Sequence, residues 1–191
     1  MDIIGAIKSA PVVDLALLIG FGVFFFMGVA QGAIRRLIGI GSMLFAFVVA
    51  GNMRDPAGDF LAGNWYQFDR GYNRLLAFVI VFIVVAAAST ILTQGFYKRT
   101  EISAEHPILD DIVGGLLGLV QGVMLLLFVV IILNSYALPP AQTGDVTPLR
   151  DAQRLIVDQS HICGWFKQFL APTFLHILGP LLPNDLVSLF H

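Results

Sequence analysis

The sequence predicts an all-α integral membrane protein, with four transmembrane helices and a C-terminal amphipathic helix at the lipid–water interface. The first observation behind this prediction is composition: 57% of the 191 residues are hydrophobic and only 13% are charged, about half of the ~25% that is usual in soluble domains. A soluble domain of this size keeps too much surface in water to bury so many apolar side chains. A water-soluble enzyme is therefore not expected, and the net charge of −2 does not indicate nucleic-acid binding.

The second observation is that the charged residues leave four long gaps. These gaps contain 20, 17, 23 and 33 residues and lie at 15–34, 37–53, 75–97 and 112–144. A hydrocarbon layer ~30 Å thick needs about 20 helical residues, and in lipid the backbone must satisfy its hydrogen bonds within the protein. The sequence therefore predicts a transmembrane domain at 1–136 with helices near 13–32, 34–52, 75–96 and 112–134.

The boundary between the first two helices depends on a short segment. Only Arg35 and Arg36 separate the two gaps, and glycines on both sides favour a reversal of the chain around residues 32–36. Without that turn, one helix of about 40 residues would leave three spans and place the termini on opposite faces. A cleaved signal peptide is the competing interpretation of residues 1–33, but the 20-residue apolar stretch exceeds the roughly 7–15 residues of such a segment.

The C-terminal part has a different composition. Residues 137–148 form a linker rich in proline and glycine, and residues 149–191 form a tail. Apolar residues recur every three to four positions from Leu149 to Leu170, which predicts an amphipathic helix at the membrane surface, a depth that suits Trp165. The apolar run from Phe169 to Leu182 contains two prolines and is too short to span a bilayer.

Positive side chains near the helix ends predict the orientation. Arg35 and Arg36 lie in the first connection, and Lys98 and Arg99 lie in the third; in the 51–74 loop, arginines are dispersed among aspartates. Short connections rich in lysine and arginine face the cytoplasm. We therefore predict that the first and third connections are inside and that both termini are outside.

Glycines recur one helical turn apart in two of the predicted helices. Gly114, Gly118 and Gly122 share one face of the fourth helix, and Gly28 and Gly32 form a shorter version in the first. Small residues allow close backbone approach where lipid gives helices no hydrophobic reason to associate. These glycines therefore predict helix packing within the bundle, with a homodimer face and a substrate path as alternatives.

Two glutamines share the pattern G-x-x-Q-G. Gln31 and Gln121 are expected at membrane depth, where an amide needs a hydrogen-bond partner. Hydrogen bonds between helices are one interpretation, and a polar lining for a solute or a partner's helix is the other. Under the second interpretation, the third helix contributes its hydroxyl groups, from Ser89, Thr90 and Thr93.

Asp14 and Asp110 begin the first and fourth helices, where carboxylates accept hydrogen bonds from unpaired N–H groups. We expect both to cap these helices and keep them, with the two glutamines, as candidate polar functional residues. His106 lies four residues before Asp110 without a third ligand nearby, and Ser160-His161 lacks a placed acid. With a single cysteine in the chain, no catalytic, cofactor or metal site is predicted.

The order of these features resembles the colicin V production protein family, CvpA. The resemblance covers about residues 12–136 and rests on three elements: Asp14, the Gly28-x-x-x-Gly32 pattern followed by Arg35, and Leu109-Asp110 followed by Gly114, Gly118 and Gly122. It implies a small bacterial inner-membrane protein with four helices, associated with peptide toxin production or export and with envelope and biofilm processes.

The sequence also departs from the family pattern. The family usually has arginine where this chain has Gln31 and Gln121, and glutamate is common where it has Arg36. Asp110 is followed by Asp111, where arginine is usual.

The leading hypothesis is a non-enzymatic protein of this type that lies in the lipid bilayer and packs against a membrane-protein partner, or against its own copies, through its glycine faces. The alternative is an oligomeric channel or small-solute transporter lined by Gln31, Gln121 and the hydroxyls of the third helix. A membrane enzyme is a further alternative, for which the sequence offers no converging set of catalytic residues.

Overall fold

The computed structural model describes residues 11–64, 70–96, 107–137 and 160–183. Four long helices account for most of them, and their bounds are α1, Val12–Gln31; α2, Ala33–Asn64; α3, Arg70–Phe96; and α4, Pro107–Ala137. Each contains a stretch long and apolar enough to cross a membrane. This confirms the prediction of an all-α membrane protein with four spans.

The chain reverses between α1 and α2 through a single residue, Gly32. Its φ of +77° lies in the left-handed region that favours glycine, and its N–H donates to the carbonyl of Gly28 at 3.0 Å. Helix α2 begins at the next residue, Ala33. The 40-residue continuous helix considered above is therefore not formed.

Helix α2 is longer than predicted. The sequence prediction ended it near residue 52 because charged residues begin at Arg54, but the helix continues to Asn64 and passes through Pro56. Charge marks where a helix leaves the hydrocarbon, whereas the helix itself continues for as long as it finds a packing partner. That partner is the N-terminal part of α3: Arg74 Nε lies 3.3 Å from Asp55 Oδ1, and Gly58 packs against the side chain of Arg74.

The C-terminal segment is helical over 161–178, and we call this segment the tail helix. It consists of α5 (His161–Trp165), a π-helical turn (Phe166–Leu170) and α6 (Ala171–Leu178), followed by a 3₁₀ turn at Gly179–Leu181. The sequence prediction ended the amphipathic helix at Leu170, but the helical segment continues through Pro172, the second residue of α6, directly after the π-helical turn. The predicted linker, apart from Ala137 at the end of α4, and residues 149–159 lie outside the described residues.

The four long helices form a row rather than a closed ring. Helix α1 packs antiparallel against α4, α4 packs parallel to α2, and α2 forms an antiparallel hairpin with α3. Most contacts of α3 are with α2, and few are with α4. Helices α1 and α3 therefore occupy the two ends of the row.

An aromatic core joins α2, α3, α4 and the tail helix. Phe47 stacks on Phe128 with ring centroids 4.1 Å apart, and Phe78 meets Phe47 edge-on at 5.6 Å. Phe174 of the tail helix packs against both Phe47 and Phe128. The three rings of α2, α3 and α4 are fully buried, so this cluster forms the centre of the described core.

The tail helix crosses the row at the end where α1 begins. It starts beside Asp14 of α1 and packs on α4. The 3₁₀ turn that follows it contacts α2, where Asn52 donates to the carbonyl of Leu181 at 2.9 Å. Its inner residues, such as Cys163 and Leu175, are fully buried. Its exposed residues include both polar and apolar side chains, which suits a position at the lipid–water interface; they are His161, Gln168, Thr173, His176, Trp165, Phe169 and Ile177.

Candidate functional site

Helices α1 and α4 meet backbone to backbone along a line of glycines. This contact, which we call the glycine seam, consists of Gly28 on α1 and Gly114, Gly118 and Gly122 on α4, all buried. A Cβ added at Gly114 would lie 2.5 Å from the carbonyl oxygen of Gly28, and one added at Gly118 would lie 3.1 Å from the Cα of Gly28. Any side chain here would therefore push the two backbones apart.

The glycine seam lies inside one chain. Of the three interpretations open from the sequence, the structure uses these glycines for packing within the bundle. Because the four glycines already face another helix, their faces are not exposed to a second protein. Gly32, the fifth predicted packing residue, forms the turn and borders the carboxylate of Asp110. It also packs against α4, because a Cβ added at Gly114 would lie 3.0 Å from the Cα of Gly32.

Asp110 caps a helix other than its own. Its Oδ1 accepts a hydrogen bond from the N–H of Ala33 at 3.0 Å, and Ala33 is the first residue of α2. The carboxylate thus complements the positive end of α2. The sequence predicted a cap for α4; the position at a helix start is as expected, but this capping bond goes to α2.

Asp14 shows the same arrangement at the opposite end of the bundle. It lies in the first turn of α1, whose N-cap residue is Pro11, yet its buried carboxylate accepts hydrogen bonds from the N–H groups of His161 and Ile162 at 3.2 and 3.5 Å. The hydroxyl of Ser160 also donates to it. Asp14 therefore attaches the tail helix to α1, and the sequence prediction that it caps α1 is wrong.

The attachment of the tail helix to α1 also accounts for the role of Ser160 and the environment of Cys163. The Ser160 hydroxyl accepts a hydrogen bond from the N–H of Cys163 at 3.0 Å, which makes it the N-cap of the tail helix. Burial raises the pKa of the Cys163 thiol, with a smaller contribution in the same direction from the Asp14 charge, while the hydrogen bond with Ser160 opposes both. A thiol that resists ionisation is a poor nucleophile.

The two glutamines have different environments. Gln31 is exposed at the end of α1, whereas Gln121 is partly buried and accepts a hydrogen bond from Nη1 of Arg36 at 2.5 Å. Gly39 lies beside the Gln121 amide: a Cβ added at Gly39 would be 3.3 Å from Nε2 of Gln121. Arg36 and Gln121, two of the positions at which the chain departs from the family pattern, are therefore in direct contact.

The hydroxyls of α3 do not join these glutamines. Thr93 donates back to the carbonyls of Ser89 and Thr90 at 2.6 and 3.3 Å, as hydroxyls in apolar helices often do. Within the described part of the chain, no hydrogen bond links Gln31, Gln121 and Thr93. The candidate channel lining is thus spread over three helices of one chain.

Within the described ranges, no group of three or more His, Cys, Asp or Glu side chains is placed to hold a metal ion. His106 lies outside the described residues. Ser160 and His161 are used in the tail attachment, where Asp14 contacts the backbone N–H of His161. Asp14 therefore lies beside Ser160-His161, but it contacts the Ser160 hydroxyl and the His161 backbone, and its role is to cap a helix.

Sequence reasoning missed the buried arginines. Arg36 and Arg54 are both nearly inaccessible to solvent; Arg54 Nε lies 3.4 Å from Asp55 Oδ1, and Asp55 also pairs with Arg74. The adjacent opposite charges of Arg54-Asp55, with Arg74 in the same predicted 51–74 loop, were a signal for this network. Nothing local distinguished buried Arg36 from exposed Arg35.

These features define an integral membrane helical bundle whose first and last spans meet along glycines and whose tail helix is attached by a buried carboxylate. The profile described as Colicin V production protein matches residues 13–171. The chain therefore belongs to the colicin V production protein family. The match extends past residue 136, where the resemblance seen in the sequence ended, and reaches the first residue of α6. Comparisons with curated proteins and with solved structures find no match for the chain.

Proposed function

We propose that this protein is a non-enzymatic component of the bacterial inner membrane that assists production or export of a peptide toxin, or envelope and biofilm processes, by packing against membrane partners. The family description supports the link to toxin production. The four apolar helices support action within the bilayer. The proposal concerns recognition between membrane helices, because the polar groups of the described residues are used mainly in capping and helix pairing.

The partner surface proposed is the outer stripe of α3, and this single observation carries the proposal. Seven exposed residues repeat at helical spacing along this stripe: Ile80, Ile83, Val84, Ala87, Ala88, Ile91 and Leu92. Helix α3 stands at the end of the row and packs mainly against α2. The small residues Ala87 and Ala88 at the centre of the stripe allow another helix to approach closely.

A complementation assay with two bulky variants tests the proposal. In a bacterium whose own family member is deleted and which secretes colicin V, we expect the chain to restore secretion. Val84→Trp, on the outer stripe, should lower secretion at unchanged protein level. Ile19→Trp on α1 is the control, because Ile19 is 62% exposed and Val84 is 59% exposed. This variant should leave secretion unchanged. Equal secretion by both variants, or no restoration by the natural chain, would refute the proposal.

The proposed orientation places both termini outside. The beginning of α1, the end of α2 and the tail helix lie at one end of the bundle, and Gly32 and Arg35 lie at the other. In a Cys163→Ala background, we expect a membrane-impermeant thiol reagent to label Phe60→Cys in intact cells. Ile102→Cys, outside the described residues, should react only after permeabilisation. Labelling at residue 102 alone in intact cells would reverse the orientation.

The channel alternative makes a different prediction about assembly. A chain with four spans would need several copies to enclose a pathway, with Gln121 and Thr93 facing it. We expect instead that the chain in lipid nanodiscs is a monomer or forms contacts through α3. A ring in which Gln121 and Thr93 line a common water-filled path would favour the channel.

A further inference from the structure

Arg36 is a buried cation held in one orientation. It lies in the first turn of α2 and is 4% exposed. Its Nη1 donates to Oε1 of Gln121 on α4 at 2.5 Å. Because Gly39 has no Cβ, the Gln121 amide can lie close to α2 and reach this donor.

The other edge of the guanidinium is unused. Its Nε and Nη2 atoms are buried and have no hydrogen-bond partner among the residues that the structure describes. These two N–H donors are adjacent on one edge of the planar group, and that edge matches two oxygens of one oxyanion. Gln121 binds Nη1 at the end opposite to this edge, so the edge has a fixed direction.

The charge of Arg36 also lacks a counter-charge within the described ranges, where its only polar contact is the uncharged Gln121. Asp110 is near the start of α2, but its Oδ1 binds the N–H of Ala33. Burial of an uncompensated cation is strongly unfavourable, and charged groups in membrane bundles therefore mark partners or ligands of opposite charge.

We propose that the Nε–Nη2 edge of Arg36 binds a phosphate group. Arg36 is the fourth residue of α2, about 4.5 Å along the axis from the start of the helix, and so lies close to the depth of lipid phosphates. Exposed Arg35 adds positive charge at the same end. Basic pockets between transmembrane helices recognise anionic lipid headgroups in this way. The phosphate source is either such a headgroup or a free phosphate ion.

Thermal unfolding of the full-length chain in a phosphate-free maltoside detergent tests this site. One arm adds phosphatidylglycerol, with diacylglycerol of the same acyl chains as its control. The other arm adds inorganic phosphate, with chloride at equal ionic strength as its control. We expect at least one phosphate source to raise Tm above its control. If only phosphatidylglycerol raises Tm, the site binds a lipid headgroup. If inorganic phosphate also raises Tm, the site binds a soluble anion as well.

Arg36→Gln and Arg35→Gln form a matched pair, because each removes one positive charge at adjacent positions, one buried and one exposed. The Tm rise should persist in Arg35→Gln and vanish in Arg36→Gln. If Arg36→Gln does not fold, Arg36→Lys is the second variant, because it keeps the charge but lacks the planar edge. Native mass spectrometry should then show that Arg36→Lys retains the phosphate ligand roughly tenfold more weakly than the natural chain. This is the effect expected for loss of a charge-assisted bidentate pair. No Tm rise in the natural chain, or equal responses in the two arginine variants, would overturn the site. Because this assay measures ligand binding, its outcome is independent of the secretion assay with α3.

Discussion

Helix α4 packs in two different ways along its length. Its first half meets α1 through the glycine seam, where backbone lies on backbone. Its second half meets α2 and the tail helix through large rings, with Phe128 stacked between neighbours. The comparison shows two solutions to association in lipid: one removes side chains so that helices come close, and the other fills the space with interlocking aromatic groups. The first should tolerate no added volume, and the second no loss of volume.

The largest effect is expected from a loss of volume in the aromatic core. Phe47→Ala removes a ring that is fully buried and contacts Phe78, Phe128 and Phe174. A cavity of this kind costs about 3–5 kcal/mol. Phe45→Ala on the same helix, 57% exposed, should cost much less. The measurement is the free energy of unfolding of both variants in detergent, with a denaturant. Equal losses in Phe47→Ala and Phe45→Ala would contradict the comparison.

An added side chain should break the glycine seam. Gly118→Leu places atoms against the backbone of Phe24 and Gly28. Because this backbone is rigid, we expect a loss of about 3 kcal/mol in the free energy of unfolding. Gly22→Leu on α1 is the control, because no described atom lies within 4 Å of an added Cβ there. Thermal stability in detergent is the measurement. Full stability of Gly118→Leu would mean that α1 and α4 do not pack as described.

A smaller effect is expected at the attachment of the tail helix. Asp14→Ala removes the acceptor for His161 and Ile162, and loss of a helix cap costs about 1 kcal/mol. The single cysteine, Cys163, is buried beneath this attachment, and its raised pKa keeps it in the unreactive thiol form. Thiol alkylation at neutral pH should therefore be slow in the natural chain and several-fold faster in Asp14→Ala. Asp111→Ala, at an exposed acid, should leave the rate unchanged.

The transmembrane spans were predictable from the sequence, whereas most of the contacts between residues of different helices were not. Exclusion of charge from hydrocarbon acts residue by residue, so the uncharged gaps located all four helices. The end of α2 was wrong because Arg54 and Asp55 signal the membrane boundary, while helix continuation depends on contact with Arg74 of α3. Asp14 and Asp110 were recognised as capping residues, but each binds the start of a distant segment. Such pairings depend on how helices are arranged in space, which local spacing does not encode.

The most direct test of this account asks whether α1 and α4 meet within one chain. In a Cys163→Ala background, Val29→Cys and Gly115→Cys place thiols on facing surfaces, since a Cβ at Gly115 lies 2.9 Å from Cγ2 of Val29. Oxidation in native membranes, followed by denaturing gel electrophoresis and mass spectrometry, should give a disulfide within a monomer. Disulfide-linked dimers, or two free thiols, would show that the glycine faces meet between copies or not at all.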